Sequence, residues 1–446
     1  MSESVAAERI HVLGSGYPIR GAYVLYWMQS AMRLTDNHAL SHAAQLSAHH
    51  DIPLLVVVCL DDTYPDATDR SHTWFLSGVS DVILSLADAG IAFQVVRGSP
   101  PDSIASLLSE AAVLVTDDKP LRHHRAWLSA CCDVATCPVH VVETAVVVPV
   151  SYAMEREAYS AAVLRPRLMK ALSRFLDPVP VPRPSRKVRG DMELTEAKHL
   201  LGAYAGDVAP GTTHSGGGGE RAALSQANSF LHTALHRYDT CRNDPSQDCT
   251  SHLSAYLHYG QLSPVTLIRD AIRSGGRGLE AFIEQVVVRR ELAFNFVHFN
   301  KDYDTVLSLP SWASQTLLAH ENDAREYIYT IRELEAAETH DQYWNAAQRQ
   351  MVFSGYMHGY MRMYWGKKIL EWTSSLNEAY HTALSLNNTY EIDGRDPNGY
   401  AGVAWVFGKH DRPWKERDIF GTIRYMNDRG LERKFDMGPY LQTHGL

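Results

Sequence analysis

A change of periodicity constrains this chain more than any other feature. Up to about residue 150, short apolar runs alternate with segments of helical spacing; from Glu220 onward strand signals almost vanish. The runs are YVLYWMQ from Tyr23, IPLLVVVCL at 52–60, IAFQVVRG at 91–98, AVLVTDD at 112–118 and VHVVE at 139–143. Runs of this length, apolar at nearly every position, read as parallel strands buried on both faces. Between them, 38–50, 74–90, 99–111 and 121–132 read as helices. Gly90 stands where a helix ends, and Ser99 with its prolines stands where one begins. Strand–helix alternation predicts an α/β domain with a doubly wound, Rossmann-like parallel sheet.

The second part predicts an all-α domain, with helices over 220–237, 253–258, 263–273, 279–298, 323–337, 342–373 and 376–386. Residues 151–175 also read as helical. The connection is expected across 177–219, where 177–190 (DPVPVPRPSRKVRG) is proline-rich and basic and 215–219 reads SGGGG. The expected organisation is therefore 1–176 as the α/β domain, 177–219 as linker, and 220–446 as the helical domain.

Composition narrows the function classes. No apolar run approaches the ~20 residues of a membrane span, and the N-terminus MSESVAAERIHV lacks the pattern of a secretory signal. The six cysteines, 59, 131, 132, 137, 241 and 249, form no CxxC pair and no Cys/His cluster. They read as free thiols of a reducing compartment, cytoplasm or nucleus, and no metal site is expected. A net charge of −9 argues against a chain coated in nucleic acid but permits one local basic face. The turn after the first strand, MQSAMRLTDNHAL, has no glycine-rich phosphate loop, so a dinucleotide fingerprint is absent, as is a Walker A loop.

Five stretches carry candidate chemistry. In RNDPSQDCTSHLSAYLHYGQLSP (242–264), Thr250, Ser251 and Ser254 precede a helix. Hydroxyls and free backbone N–H groups there suit a diphosphate, or simply cap the helix. In FIEQVVVRRELAFNFVHFN (282–300), Gln285 and Arg289 share a face, as either a cavity wall or an ion-paired surface. Residues 342–373 read as one amphipathic helix carrying Trp344, Trp365 and Trp372. Trp365 and Trp372 lie two turns apart, ~10.5 Å along the axis, on nearly one face. Trp344 would lie ~31 Å away on an unbroken helix, so it must belong to a separate or bent one to join them. The three suit an electron relay or a plain aromatic core. After them, 387–420 reads as an irregular, turn-rich segment; its Asp393 and Arg362 of the preceding stretch are a candidate buried ion pair. Finally, GKHDRPWKERDIFGTIRYMNDRGLERK (408–434) interleaves Lys409, Arg412, Trp414, Lys415 and Arg417, suiting phosphates and bases, or a solvated charged face.

Together these stretches resemble the class II cyclobutane pyrimidine dimer photolyases over nearly the whole chain. The resemblance rests on YWMQSAMRLTDN, the 242–264 stretch, FIEQVVVRREL, WGKKILEW, EIDGRDPNGYAGVAW and GKHDRPWKERDIFGTIRYMN, in that order. It implies an antenna-type α/β domain, a helical domain holding FAD, and UV-damaged DNA as partner, bound by a monomer. Tyr238, Thr250, Ser251, Leu253, Ser254 and Arg289 would contact FAD. Asn387 would face the flavin, with Arg362 and Asp393 paired beside the ring. Trp365, Trp344 and Trp372 would carry electrons in from solvent. Met363 and Trp405 would pack against the dimer, and Glu284 or Gln285 would bond it. The active cofactor would be FADH⁻, whose excited state lends an electron to a dimer flipped out of the stack.

The chain departs from the family pattern at four places. Gln285 follows Glu284 where two glutamates are usual; an amide donates a hydrogen bond but supplies no proton. Thr422 replaces a lysine, and His38 a tryptophan. Glu143, Thr144, Ala145 and Val146 replace D-A-H-N, which leaves the antenna chromophore open. The resemblance therefore implies a light-driven DNA repair enzyme, with a cryptochrome-like photoreceptor of weak or no repair as the alternative. A light-independent flavin- or nucleic-acid-binding protein is a third, more distant reading.

Overall fold

The computed structural model describes residues 5–14, 20–182, 191–207 and 217–445. The basic part of the proline-rich stretch, 183–190, and the start of the glycine run, 208–216, lie outside the described residues. Contacts divide the chain into two compact units. One comprises Met1–Glu155, Arg167–His232 and Ser251–Gly275; the other comprises Arg156–Pro166, Thr233–Thr250 and Gly276–Leu446.

The first unit is built on six strands: β1 (Ile10–Leu13), β2 (Tyr23–Trp27), β3 (Leu54–Leu60), β4 (Ala92–Arg97), β5 (Ala111–Asp117) and β6 (Val139–Val142). Their order is β1-β6-β5-β2-β3-β4. The chain winds outward from β2 through β3 to β4, then crosses back to β5 and β6, as the sequence predicts. All pairings are parallel except β1 with β6, which is antiparallel. This edge strand is not predicted from sequence: it has four residues, half of them exposed, and no alternation to read.

Because successive side chains point to opposite faces, the apolar runs feed two cores. Val24, Tyr26, Val56 and Val58 enter one, under the helices His38–His50, Asp69–Asp88 and Leu194–Asp207. Leu25, Trp27, Leu55 and Val57 enter the other, with Ile104, Leu108 and Cys131. The Leu194–Asp207 helix lies within the stretch expected to be linker; Ala197, Leu201 and Tyr204 bury it in the first core. The turn after β2 needs no glycines because a carboxylate occupies it. Asp117 Oδ2 accepts from Gln29 N at 2.8 Å and Ser30 N at 2.9 Å.

The second unit is built of helices joined by turns and loops, and its described residues hold no strand beyond one isolated bridge, Arg417 to Gly421. Residues 342–373 are two helices, Gln342–Ser354 and Gly359–Trp372. Gly355, at φ 68° in the left-handed region, ends the first. The second opens on His358, whose Nδ1 accepts from Tyr360 N at 3.2 Å. Of 323–337 only Ile331–Glu335 is α-helical, started by a Thr330/Glu333 capping box. The turn-rich reading of 387–420 is corrected by a helix, Pro397–Val406. Asp396 caps it and Pro397 sits in its first turn. Residues 279–299 form a continuous run whose middle, Glu284–Arg289, is π-helical.

The cysteines depart from expectation at one pair. Cys241 and Cys249 are joined in a disulfide across a sequence separation of 8, while Cys59, Cys131, Cys132 and Cys137 are free. A short turn-rich loop brings Cys249 back to the end of the Tyr238–Cys241 helix, a proximity that spacing alone does not reveal. Among the described residues no group of three or more His, Cys, Asp or Glu is placed to hold a metal. No described helix is long and apolar enough to cross a membrane.

Candidate functional site

Three helices of the second unit, with Met351 of the Gln342–Ser354 helix, line a cavity of about 250 Å³. Gly359–Trp372 contributes Gly359, Arg362, Met363 and Trp365; Leu376–Tyr390 contributes Ala383 and Asn387; Pro397–Val406 contributes Gly399, Gly402 and Trp405. Close packing brings the first and third helices together. A Cβ on Gly366 would stand 2.6 Å from Val406 Cγ2, so only glycine permits this approach. Gly359 and Gly402 have nothing within 4 Å of where a Cβ would be, and both border the cavity. The result is a cavity with bare backbone on some sides and Met351, Met357, Trp365 and Trp405 on others.

Its polar edge is an ion-pair cluster. Arg362 donates to Asp393 at 3.0 Å, to Glu391 at 2.8 Å, and through Nε to the Met357 carbonyl at 3.1 Å. Burial works against this charge, but the carboxylates of Asp393 and Glu391 overcome it and hold the guanidinium above its ordinary range. Asn387, buried, donates to Asn388 Oδ1 at 3.2 Å and lines the cavity. Sequence reading paired Arg362 with Asp393 alone. Glu391, two residues earlier in the same quoted stretch, was missed.

The break at Gly355 lets the three tryptophans meet. Trp344, fully buried, stacks on Trp365 with centroids 6.3 Å apart and 7° between planes. It meets Trp372 edge-on at 5.7 Å. Its indole N–H donates to the Trp365 carbonyl at 3.0 Å, and that of Trp365 donates to Gln348 Oε1 at 2.8 Å. Gln348 lies one turn from Trp344 on the same face, a signal the sequence offered and the reading passed over. The stack thus runs from the cavity wall, Trp365, to Trp372. Trp372 borders a second cavity of about 600 Å³ together with Tyr327, His340 and several carboxylates.

The remaining candidates fall elsewhere. Glu284 is held by two arginines, Arg165 through Nε and Nη2 at 2.9 and 2.8 Å and Arg289 through Nε at 2.9 Å. The hydrogen bond from Arg165 is the main cause of a pKa below its ordinary value. Gln285 follows on the π-helical turn, a local form common at functional sites. Neither borders the 250 Å³ cavity, although the helix continuing from them, Arg290–Phe299, packs on Pro397–Val406. Tyr238 is buried against Phe282 at 5.5 Å, and Thr250 Oγ1 bonds the Tyr356 hydroxyl at 2.9 Å. Ser251, Leu253 and Ser254 belong to the first unit. There Leu253 is buried, Ser254 begins a short helix with no side-chain cap, and the Ser251 carbonyl accepts from Gln226 at 3.0 Å.

The 408–424 segment carries Arg412, Trp414, Lys415 and Arg417 exposed. Lys409 is corrected: it is buried, pairs with Glu157 and donates to the Ser308 carbonyl at 2.7 Å, so its ammonium is engaged inside the unit. Arg424, which sequence reading passed over, bonds Asp411 at 3.0 and 3.2 Å and lies 4.3 Å from the Trp414 ring.

Comparison with known proteins adds three findings. Residues 24–185 match the family described as DNA photolyase. The chain is 45% identical over 441 residues to the deoxyribodipyrimidine photo-lyase of Methanothermobacter thermautotrophicus, covering 98% of each. Its fold matches solved structures at low identity. One is an archaeal photolyase from Sulfolobus tokodaii with two FAD molecules (TM-score 0.72, 15% identity, 94% of this chain and 89% of that one). Another is the Synechocystis sp. PCC6803 cryptochrome (TM-score 0.73, 15% identity, 95% and 88%).

Proposed function

This chain belongs to the DNA photolyase family, and from that premise we propose that it repairs DNA, splitting cyclobutane pyrimidine dimers under blue light as a deoxyribodipyrimidine photo-lyase of class II. One observation carries the reading: a cavity whose wall is the first ring of a buried three-tryptophan stack. Such a cavity joins a light-absorbing ligand to an electron source.

The residues present fit FAD. Backbone at Gly359 and Gly402 with no side chain in the way admits a flat ring at close range. Met363 and Trp405 offer polarizable apolar surface, and Arg362 and Asn387 offer donors at one edge. When bound, reduced FAD supplies the light-excited electron that cleaves the dimer and is then returned. The chain does the rest. Asp393 and Glu391 fix Arg362, so its donors are aimed before the ligand arrives. Asn387 orients the ring edge. Trp372, Trp344 and Trp365 pass electrons inward. Within the second unit, Tyr238, Thr250 and Arg289 hold more of the cofactor. Met363 and Trp405 pack on the flipped dimer, and Arg412, Trp414, Lys415 and Arg417 hold the strand. Gln285, not the doubly bonded Glu284, donates a hydrogen bond to the dimer without supplying a proton. The protein acts as a monomer in cytoplasm or nucleus.

Gln285 also favours a second reading, a blue-light photoreceptor with weak or no repair. One assay separates the two. Protein with reduced flavin is mixed with a dimer-containing oligonucleotide, and thymine absorbance is followed under blue light. Light-dependent recovery supports repair; a flat trace with normal flavin reduction supports the photoreceptor.

A further inference from the structure

Two indoles, Trp365 and Trp405, line the same cavity, yet their electrostatic settings differ. Trp365 donates its N–H to a neutral amide and carries Trp344 stacked on its ring; among the described residues no cation lies over it. Trp405 has two. Lys367 Nζ stands 5.6 Å from its ring centroid, and the Arg424 guanidinium stands 5.3 Å from it. Lys367 is wholly buried, and its ammonium donates to the Val406 carbonyl, a neutral acceptor. Arg424 is bonded twice to Asp411, whose carboxylate offsets part of its field.

A cation over an aromatic face is attracted to the neutral ring but repelled by the radical cation left when one electron departs. Below about pH 7, where buried Lys367 keeps its proton, both groups therefore make Trp405 harder to oxidise. We infer that Lys367 and Arg424 keep Trp405 out of the electron path, so that light-driven oxidation at the cavity falls on Trp365 alone. The inference rests on the reading of the cavity as a flavin site. In that step one electron leaves the Trp365 indole for light-excited oxidised FAD, Trp344 refills it with one electron, and no bond forms or breaks. Oxidation of Trp405 would instead strand the hole on a ring that no tryptophan stacks on among the described residues, in the wall against which substrate packs. Lys367 and Arg424 are thus positioning residues that act through Trp405.

The test starts from the full chain with Trp365→Phe, in which the relay has lost its first ring. Flavin content is read first from visible absorbance. Blue-light time-resolved absorption of this protein at about pH 6, where Lys367 is protonated, should show almost no tryptophan radical. Adding Lys367→Met should raise the radical yield about tenfold, and adding Trp405→Phe should remove that gain. Arg424→Gln, at a partly exposed position, is a second variant less liable to disturb folding; it should raise the yield by less, because Asp411 already offsets Arg424. An unchanged yield in both variants overturns the proposal. If the chain carries no flavin, the reading of the cavity fails, and the two cations are tested without it. Azide radicals generated by pulse radiolysis oxidise tryptophan by one electron. Peptide mass spectrometry should then find Trp405 oxidised several-fold more in Lys367→Met than in the parent chain; equal oxidation overturns the proposal.

Discussion

At position 285 a single atom type separates two outcomes. In the proposed reaction the Gln285 amide donates a hydrogen bond to the dimer but supplies no proton; a hydrogen bond to a charged group is worth about 1.5–3 kcal/mol. A protonated carboxyl there is the stronger donor to a developing negative charge, so Gln285→Glu should raise the repair yield per absorbed photon about fivefold. Unchanged yield would mean that the dimer bonds elsewhere. Lys367 offers a second prediction at this scale. Burial pushes its pKa down to about 7; Asp411 raises it and Arg424 lowers it. An unfolded lysine titrates near ~10.4. Between these values the unfolded chain holds one more proton than the folded one, so stability rises with pH, by up to about 1.4 kcal/mol per unit. Below about pH 7 both states hold the proton and this contribution is flat. Denaturant titrations of Lys367→Met between pH 7 and 9 should lack that slope; an identical slope in both proteins would contradict it. Sequence reading singled out Arg362, Asp393, Asn387 and the three tryptophans, residues of long, ordered stretches that the structure brings to one cavity and the stack beside it. It missed Glu391, Lys367 and Arg424 because their roles depend on which helices touch, and spacing along one helix does not encode that. It misplaced Lys409 because a basic residue in a basic run looks exposed whether or not a carboxylate waits beneath it.

Among the elements, the Gly359–Trp372 helix does most to build the site, and Gly366 decides how closely it packs. An added methyl would meet Val406 at 2.6 Å. Gly366→Ala should destabilise by about 1–3 kcal/mol and move the Pro397–Val406 helix with Trp405. The expected signs are a thermal midpoint several degrees lower and a changed near-ultraviolet circular dichroism spectrum; no change in either would contradict the packing account. Secondary structure was legible where the pattern was strong. The buried strands β2 to β6 carry nearly continuous apolar runs, and the sheet follows from them. Pro397–Val406 was illegible as a helix because Asn398, Gly399 and Gly402 all disfavour one, although Asp396–Pro397 is a good start signal. The glycines that weaken the helix signal are those that leave the cavity open. The π-helical turn at Glu284–Arg289 has no sequence signature of its own.

For the whole molecule, a negative net charge coexists with a local basic segment. The net charge is −9, yet Arg412, Lys415 and Arg417 are exposed along one segment. Binding to damaged DNA should weaken with salt, and Arg417→Ala should reduce the slope of log affinity against log salt by about 1. An unchanged slope would remove Arg417 from the interface. The two-part architecture was legible from the change in periodicity alone, whereas the contact boundaries were not. Thr250 and Ser251 are neighbours in sequence but fall in different compact units, which no local pattern announces. The central claim is that the cavity beside Trp365 is a repair site fed by the tryptophan stack. Blue-light repair by Trp365→Phe, measured once with photoreduced and once with chemically reduced flavin, tests it most directly. The account predicts near-normal repair after chemical reduction and almost none when the protein must reduce its own flavin. Equal repair by both routes would contradict the relay, and none by either would contradict the site.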